Sequence, residues 1–521
     1  MTPTASDPND PGLTRRAVVG GAMGAAIAVA GASTNGGAAV AASAPNDIVM
    51  MNALELGEQS RSRKVSCVEV MTAYLDHIEK INPKVNAIVA LQDRAALMAE
   101  AKERDEQVAR GEVMGPLHGF PYAVKDLEMV KGIRSTMGSP IFKDFVPKAD
   151  GIMVSRLRKA GAIFIGKTNV PEFGLGSQTY NEVYGATRNA YDQTKTSGGS
   201  SGGASVSLAL RMLPVADGSD YAGSLRNPAG WNNIFGFRTS VGRIPVDARD
   251  VWLPSMGVLG PMARTASDLA MLLSVQAGFD ARNPLSIEGN GSVFAGDLNR
   301  DFKGARIAWL GDFKGYLPFE PGVLDVCKGA LKIFESLGCT VEKATPDYPI
   351  DAVWRAWLKL RAWQVGSGLI GLYNDPEKRK LLKPEAVWEI ESGAKLSGYD
   401  VSAASVVRSE WSEAVRKFYE KYDFMMAPTA QVFSFDVNTH WLKEIGDAKM
   451  ETYHEWMKVV LPITMTGGPA LAAPAGFGPQ GLPMGIQIVG PVHAELACLQ
   501  LAHAYDQATE WPKKRPPALL G

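Results

Sequence analysis

Residues 194–229 read TKTSGGSSGGASVSLALRMLPVADGSDYAGSLRNPA, and this stretch carries the most specific pattern in the chain. Two turns rich in glycine and serine, at 198–203 and 220–226, enclose a mostly apolar run at 206–213. The run is long enough for about two helical turns. The stretch therefore predicts a loop, a helix, a short strand and a second loop, with a serine in each loop.

The two turns have the composition that acyl-transfer chemistry requires. Glycine lets the backbone turn sharply and lets several N–H groups converge on one point. Negative charge develops on the carbonyl oxygen during acyl transfer, so convergent N–H donors stabilise the transition state. A serine at the end of such a turn can attack the carbonyl carbon once a neighbouring base accepts its proton.

Other interpretations of these glycine-rich segments are weaker. A flexible Gly/Ser linker does not usually continue into an apolar run and then into Pro228 and Trp231. A phosphate-binding loop carries a lysine after its last glycine, whereas Ala204 follows Gly203 here. Residues 161–168, GAIFIGKT, match the phosphate-loop pattern letter by letter, but their apolar centre is typical of a strand.

The stretch resembles the signature of the amidase signature family. The resemblance runs from Gly198 to Ala229 and includes the GGSSGG turn, Asp220, the Ser-Leu-Arg triplet at 224–226 and Pro228. One departure is Ala222, where many members carry a glycine.

Further segments extend this resemblance. GPLHGFPYAVKD, residues 115–126, fits the GxPxxxKD context in which the family carries its catalytic lysine. The resemblance covers roughly residues 50–290 and 420–510, and the part between them is individual to this chain.

The resemblance implies a Ser–Ser–Lys triad. Ser224 is implied as the nucleophile, and Lys125 as the general base and later the acid. Ser200, which in the family follows a cis peptide bond, is implied as the bridge between them. Ser201 is the neighbouring alternative, and motif position favours Ser200. The chain has six histidines but no GxSxG elbow, which argues against a Ser/His/Asp triad.

The loop before the nucleophile and the segment 172–184 supply further candidate residues. Asp220 is expected to hold the loop by accepting backbone N–H bonds, and not to act as a second base. The expected oxyanion-hole donors are the backbone N–H groups of Tyr221, Ala222, Gly223 and Ser224, and the candidates for touching the substrate are Ser177 and Gln178.

The proposed base sets a physical condition. A lysine in water has a pKa of about 10.4, so roughly one in 2,500 is neutral at pH 7. A pKa near 7 requires about 4 kcal/mol, which burial of the amine can supply. Lys125 follows the short apolar strand Tyr122–Val124. We therefore expect Lys125 to be buried and largely neutral in the free enzyme.

The implied chemistry needs no metal, nucleotide or redox cofactor. The four cysteines show no CxxC or Cys/His metal spacing, and they are expected to be mostly buried thiols. A Cys327–Cys339 disulfide is the alternative if the chain is exported.

The first 44 residues differ from the rest. Arg15 and Arg16 precede an uncharged run rich in alanine and glycine at 17–44, with a small-x-small cleavage site at 39–41. This pattern predicts a twin-arginine export signal and a periplasmic or secreted protein, and a disordered low-complexity tail is the alternative. A transmembrane anchor is disfavoured, because polar residues and glycines interrupt the run.

The whole chain has the composition of a globular protein. Its 521 residues are 46% hydrophobic, and its net charge of −1 indicates no preference for nucleic acid or an anionic membrane. Residues 45–521 are expected to form one amidase domain, with a variable substrate-pocket region at about 290–420. The resemblance implies an α/β fold with a large, mixed, twisted β-sheet flanked by helices on both faces.

Several elements are predicted outside the signature. They are helices at 47–110 with a break at Asn82-Pro83, a strand at 306–310, a helix at 323–337, a helical and aromatic-rich segment at 350–420, a strand at 424–429, and a closing hairpin from 467–477 and 481–490.

The implied reaction is hydrolysis of a linear carboxylic amide C–N bond through an acyl-enzyme, with a small-molecule amide as substrate. One alternative is an amidotransferase A-type subunit, which works with partner subunits on tRNA. Another is a carbamate or ester hydrolase of the same family, and a third is a binding protein on an amidase scaffold. A homodimer is compatible with the sequence, which does not identify the amide.

Overall fold

The computed structural model describes residues 45–248, 250–253 and 256–521. The export signal expected at 1–44 lies outside the described residues. The helices are α1 (Pro45–Met50), α2 (Ala53–Arg61), α3 (Cys67–Val85), α4 (Arg94–Arg110), α5 (Ile152–Lys159), α6 (Gly202–Ala209), α7 (Arg226–Trp231), α8 (Ala266–Gln276), α9 (Val323–Ser336), α10 (Ile350–Tyr373), α11 (Pro376–Arg379), α12 (Pro384–Ala394), α13 (Gly398–Phe418), α14 (Leu461–Met465), α15 (Glu495–Thr509) and α16 (Trp511–Lys514).

The strands form one large sheet and two small ones. They are β1 (Ile88–Val89), β2 (Pro121–Lys125), β3 (Ile163–Thr168), β4 (Ala216–Asp220), β5 (Phe235–Arg238), β6 (Val258–Ala263), β7 (Arg306–Trp309), β8 (Thr340–Lys343), β9 (Phe424–Pro428), β10 (Glu444–Ile445), β11 (Ala448–Lys449), β12 (Ala470–Phe477) and β13 (Pro483–Val489).

The large sheet has eight strands in the order β4-β6-β5-β12-β13-β9-β7-β8. Strands β7, β8 and β9 pair in parallel, and the other neighbours in this sheet pair antiparallel. Helices α7, α9 and α15 pack against its central strands β12 and β13, so the fold is the mixed α/β architecture that the resemblance implies. A separate sheet, β1-β3-β2, carries β2 parallel to β3.

Most elements outside the signature lie where the sequence predicts them. The closing hairpin is confirmed, since Ala470 pairs with Val489 and the ladder continues to Phe477 and Pro483. The 163–168 segment is a buried strand, as its apolar centre predicts. The aromatic-rich segment forms α10, α12 and α13. All four cysteines are free and buried, so the expectation of buried thiols is confirmed.

The break expected at Asn82-Pro83 is wrong. Helix α3 continues through Pro83 and ends one residue before Asn86, which adopts the left-handed conformation. The Asn82 side chain donates to the Ile88 carbonyl and accepts the Ile88 N–H, and the backbone carbonyl of Asn82 accepts the N–H of Asn86. Near the end of a helix a proline removes only one hydrogen bond, so the last turn survives.

No described helix combines the length with the apolar character that crossing a bilayer requires.

Helix α7 approaches β13 closely at two glycines, and this contact fixes the turn that precedes α7. A Cβ added to Gly485 would lie 2.7 Å from the Gly230 Cα and 2.9 Å from the Thr429 Oγ1. Backbone atoms cannot move aside as a flexible side chain can, so any side chain here forces helix and sheet apart.

We expect Gly485→Ala to destabilise the protein by roughly 1–3 kcal/mol, the usual cost of overpacking a core. The control is Gly368→Ala on the exposed part of α10, where an added Cβ meets no atom within 4 Å. That variant should be neutral or slightly more stable, since alanine favours a helix. Thermal unfolding of both variants measures the difference, and equal midpoints would contradict this account of the packing.

Candidate active site

Lys125 is the last residue of β2, and its side chain is fully buried. The Nζ atom lies 2.9 Å from the Ser200 Oγ, 2.8 Å from the Ser201 Oγ and 2.9 Å from the Ser219 Oγ. The Ser219 carbonyl lies 3.3 Å away. The amine therefore contacts three hydroxyl groups and one carbonyl, and each hydroxyl can accept a hydrogen bond or donate one.

Burial is the main influence on the acidity of this amine. It lowers the pKa of Lys125 to about 7, although the carboxylates of Asp217, Asp220 and Glu128 act in the opposite direction. About half of the amines are then neutral at pH 7, compared with roughly one in 2,500 for a lysine in water. The expected burial of Lys125 is confirmed, and a neutral lysine can accept a proton.

The first glycine-rich turn places two serines against this amine. The Gly199–Ser200 peptide bond is cis, as the resemblance implies for the bridging serine. Ser201 is fully buried, and its hydroxyl also lies 3.4 Å from the Ser219 carbonyl. Helix α6 begins immediately after the turn, at Gly202. The two turns meet directly, because the Ser201 N–H donates to the Ser224 carbonyl at 3.3 Å.

The second turn presents Ser224. This residue is 7% exposed, and its hydroxyl forms no hydrogen bond with the part of the chain that the structure describes. The turn is shaped by Gly223, whose φ of +94° is unfavourable for other residues. A Cβ at Gly223 would also collide with the Asn227 side chain at 2.3 Å. The sequence-predicted nucleophile is thus held by a rigid turn but is itself unengaged.

Asp220 holds the second turn as expected, and it does so more completely than the sequence indicates. Its carboxylate accepts the N–H groups of Gly223 at 2.9 Å and Leu225 at 3.1 Å. The buried guanidinium groups of Arg226 and Arg238 lie 3.0 and 3.3 Å from it. These cations and N–H donors outweigh the effect of burial and hold the pKa of Asp220 below its usual range.

One expected oxyanion donor has to be corrected. The Gly223 N–H donates to Asp220, so it is not free to bind an oxyanion. The N–H groups of Tyr221, Ala222 and Ser224 donate no hydrogen bond to the described parts of the chain. Only these three of the four expected donors remain available.

The two candidates for substrate contact occupy different positions. The Ser177 hydroxyl donates to the Gly199 carbonyl at 2.6 Å and lies 3.1 Å from the Asn227 Oδ1. Ser177 therefore supports the first turn, and its hydroxyl is already used within the protein. Gln178 packs beside Gly199, and its buried Nε2 has no hydrogen-bond partner among residues 45–248, 250–253 and 256–521.

The nucleophile turn is linked to helix α10 by a contact that no sequence motif indicates. The Tyr221 hydroxyl donates to the Gln364 Oε1, and the Arg361 guanidinium lies 4.9 Å from the centre of the Tyr221 ring. Arg361 in turn pairs with the buried Glu389 of α12 at 2.6 Å. A lone arginine in a helical segment carries no sequence signal for this contact.

A second set of buried charges near Lys125 was also missed. Asp217 on β4 and Lys167 on β3 are fully buried. Lys167 lies 3.9 Å from the Asp126 Oδ1. An aspartate inside a short buried strand is unusual and was the available signal for Asp217.

Comparisons with known proteins all point to one family. The model of the protein family described as Amidase matches residues 69–499. An acylamidase of Rhodococcus erythropolis is 32% identical over 472 residues, which cover 89% of this chain and 97% of that protein. The A-type subunit of the glutamyl-tRNA(Gln) amidotransferase of Carboxydothermus hydrogenoformans is 32% identical over 498 residues, which cover 90% and 99%.

Solved structures show the same similarity. The crystal structure of a bacterial aryl acylamidase, described as a member of the amidase signature enzymes, has a TM-score of 0.82 to this chain. The two are 27% identical, and the alignment covers 89% of this chain and 99% of the other.

We expect substitution of Ser200 and of Ser201, the two serines of the first turn, to have different effects. We expect Ser200→Ala to lower kcat at least about 100-fold, the usual size of a lost proton-transfer group. Ser201→Ala should cost less than about tenfold, because the Ser201 hydroxyl is enclosed between Lys125 and Ser219. Steady-state kinetics on one amide substrate measures both. An inactive Ser201→Ala variant together with an active Ser200→Ala variant would show that Ser201, and not Ser200, is the bridging serine.

Proposed function

The chain belongs to the amidase signature family and is an amidase, and we propose that it cleaves its amide through an acyl-enzyme on Ser224. One observation carries the proposal, namely the buried Lys125 amine at 2.9 Å from the Ser200 hydroxyl. A buried amine with a pKa near 7 can serve as a base at neutral pH, and the adjoining turn presents an unengaged serine.

Acylation begins with attack of the Ser224 oxygen on the amide carbon. The Ser224 proton passes to the Ser200 oxygen as the Ser200 proton passes to the Lys125 amine, so Lys125 becomes an ammonium. In this step the Ser224 hydroxyl donates to the Ser200 oxygen, a contact of the kind that often tightens only in the substrate complex. Ser200 then gives its proton to the leaving nitrogen as the Lys125 ammonium returns one to Ser200, and the C–N bond breaks. Water releases the acyl group by the same relay.

The proposed oxyanion hole consists of the N–H groups of Tyr221, Ala222 and Ser224. Their support is that none of the three is used within the part of the chain that the structure describes, whereas Gly223 is. Donors that are already oriented stabilise the tetrahedral oxyanion without reorganisation, and one such donor is typically worth about 10²–10³ in rate. Gln178, whose Nε2 is unpartnered among the described residues, is the proposed additional substrate contact.

The proposed substrate class is the N-acyl amide, and in particular the N-acyl arylamine. Its support is the similarity to an acylamidase and to an aryl acylamidase.

An amidotransferase component is the second candidate, because the A-type amidotransferase relative is equally similar in sequence at 32% identity. The two candidates differ in what they need. An amidase acts alone on a simple amide, whereas an amidotransferase component works with partner subunits.

The test is hydrolysis by the purified protein alone. The panel contains 4-nitroacetanilide, an aliphatic amide, glutamine, a carbamate and 4-nitrophenyl acetate. We expect release of 4-nitroaniline, and we expect Ser224→Ala and Lys125→Ala each to lower kcat/KM at least about 10³-fold. The control is Ser207→Ala, because among the described residues the Ser207 hydroxyl donates only to the Gly203 carbonyl within α6. Hydrolysis of glutamine only, and only with added partner subunits, would contradict the proposal.

We also propose that residues 1–44 are a twin-arginine export signal and that the mature protein is periplasmic or secreted. The support is the sequence of this segment, with Arg15 and Arg16 before its uncharged run. A fusion of residues 1–44 to a reporter that folds before transport should be exported. The Arg15→Lys, Arg16→Lys double variant should stay inside, and export of both fusions would contradict the twin-arginine route. A homodimer remains a prediction that light scattering of the mature protein measures.

A further inference from the structure

We propose that Asp217 is a positioning residue of the amidase reaction, which fixes Lys125 through its backbone and keeps the buried amine basic through its charge. This inference rests on the proposed role of Lys125 as the base.

Asp217 is hydrogen-bonded to the backbone of the lysine. The Lys125 N–H donates to both carboxylate oxygens, and its nitrogen lies 3.3 Å from Oδ1 and 3.2 Å from Oδ2. Lys125 belongs to the small sheet, whereas Asp217 lies on β4 at the edge of the eight-stranded sheet. The carboxylate therefore ties two separate sheets together at the residue that carries the amine.

The same strand also binds the side chain of that lysine. Ser219 lies two residues after Asp217, and side chains two apart on a strand share a face. The Ser219 hydroxyl lies 2.9 Å from the Lys125 Nζ. One face of β4 thus holds Lys125 at both ends, by its N–H and by its amine. This double attachment fixes the position of the amine relative to the nucleophile turn, which directly follows β4.

Two of the other carboxylates near Lys125 face cations of their own. Asp220 is already compensated by Arg226 and Arg238. Asp126 faces Lys167, which also donates to the Glu128 carbonyl and lies 3.2 Å from the Ser135 hydroxyl. The groups that act on Asp217 itself are the buried amine of Lys167 on β3, the buried hydroxyl of Tyr122 on β2 and the half-buried side chain of Glu128.

The ionisation of the two groups suits this role. Burial raises the pKa of Asp217 to about 6, which leaves it mostly charged at pH 7, where Lys125 is about half neutral. Burial lowers the basicity of the amine, and a nearby negative charge opposes that effect. A base with too low a pKa accepts a proton poorly, so a carboxylate close to the amine sustains the reaction.

The Asp217→Asn variant removes the charge of the side chain and keeps its shape. The amide keeps an oxygen for the Lys125 N–H but removes the negative charge. We expect the acid limb of kcat/KM against pH to move down by at least about 0.5 pH unit, since Lys125 would lose its proton at lower pH. The plateau should fall about 3- to 30-fold, because a weaker base transfers the proton less well. The measurement is kcat/KM from pH 5 to 10 on the amide that the wild type cleaves.

Asp268→Asn is the matched control. Asp268 is a buried aspartate that accepts two backbone N–H groups, of Ala53 and Leu54, and has no contact with Lys125. This variant should lose thermal stability and leave the acid limb in place. An acid limb that stays unmoved in Asp217→Asn as well would reduce Asp217 to a structural residue and overturn the proposal.

Asp217→Glu keeps the proposal testable if Asp217→Asn does not fold. It retains the charge but displaces it, so the acid limb should stay within about 0.3 pH unit of the wild type while the plateau falls. A downward shift of half a unit or more in Asp217→Glu would overturn the role of the charge. A wild type that cleaves no amide at any pH would instead reject the proposed function, so the two failures are distinguishable.

Discussion

The burial of one amine is the constraint on which the rest of this structure depends. Lys125 has no exposure to water, and its Nζ contacts three hydroxyl groups and a carbonyl. Among the described residues no carboxylate lies within salt-bridge distance of this nitrogen. A carboxylate bonded directly to the amine would hold its proton and make it useless as a base. Hydroxyl groups satisfy the amine without that effect, and they also offer a route for a proton.

Two carboxylates near the amine are paired with other cations and not with Lys125. Asp220, on the strand that ends beside Lys125, gives its charge to Arg226 and Arg238 and its oxygens to the nucleophile turn. Asp126 faces the second buried lysine, Lys167. The Asp220 carboxylate also shapes the turn, because it accepts the N–H groups of Gly223 and Leu225. One carboxylate, that of Asp220, therefore both compensates two buried arginines and holds the nucleophile turn.

The sequence predicts the parts of the site that short motifs encode. The turns around Ser200 and Ser224, the strand before Lys125 and the closing hairpin all come from local patterns, and the structure places them accordingly. It does not predict contacts made across the fold. The pairing of Tyr221 with α10 and the grip of Asp217 on another sheet join residues that are 92 or more positions apart.

Two local expectations fail for local physical reasons. The N–H of Gly223 is taken by the carboxylate three residues earlier, a competition that composition does not reveal. Helix α3 survives Pro83, because one lost hydrogen bond near a helix end is cheap when the side chain of Asn82 caps the following backbone. Both outcomes depend on which hydrogen-bond donor pairs with which acceptor, and these pairs form only in the folded chain.

The most direct test of this account is the pKa of the Lys125 amine in the free, folded protein. It can be measured by NMR titration of lysine labelled with ¹³C at the ε carbon, with the signal assigned by its loss in Lys125→Met. The account predicts a value near 7, at which the amine is half neutral at neutral pH. A value near 10, that of a lysine in water, would contradict it, because the base would then be almost entirely protonated where the enzyme works.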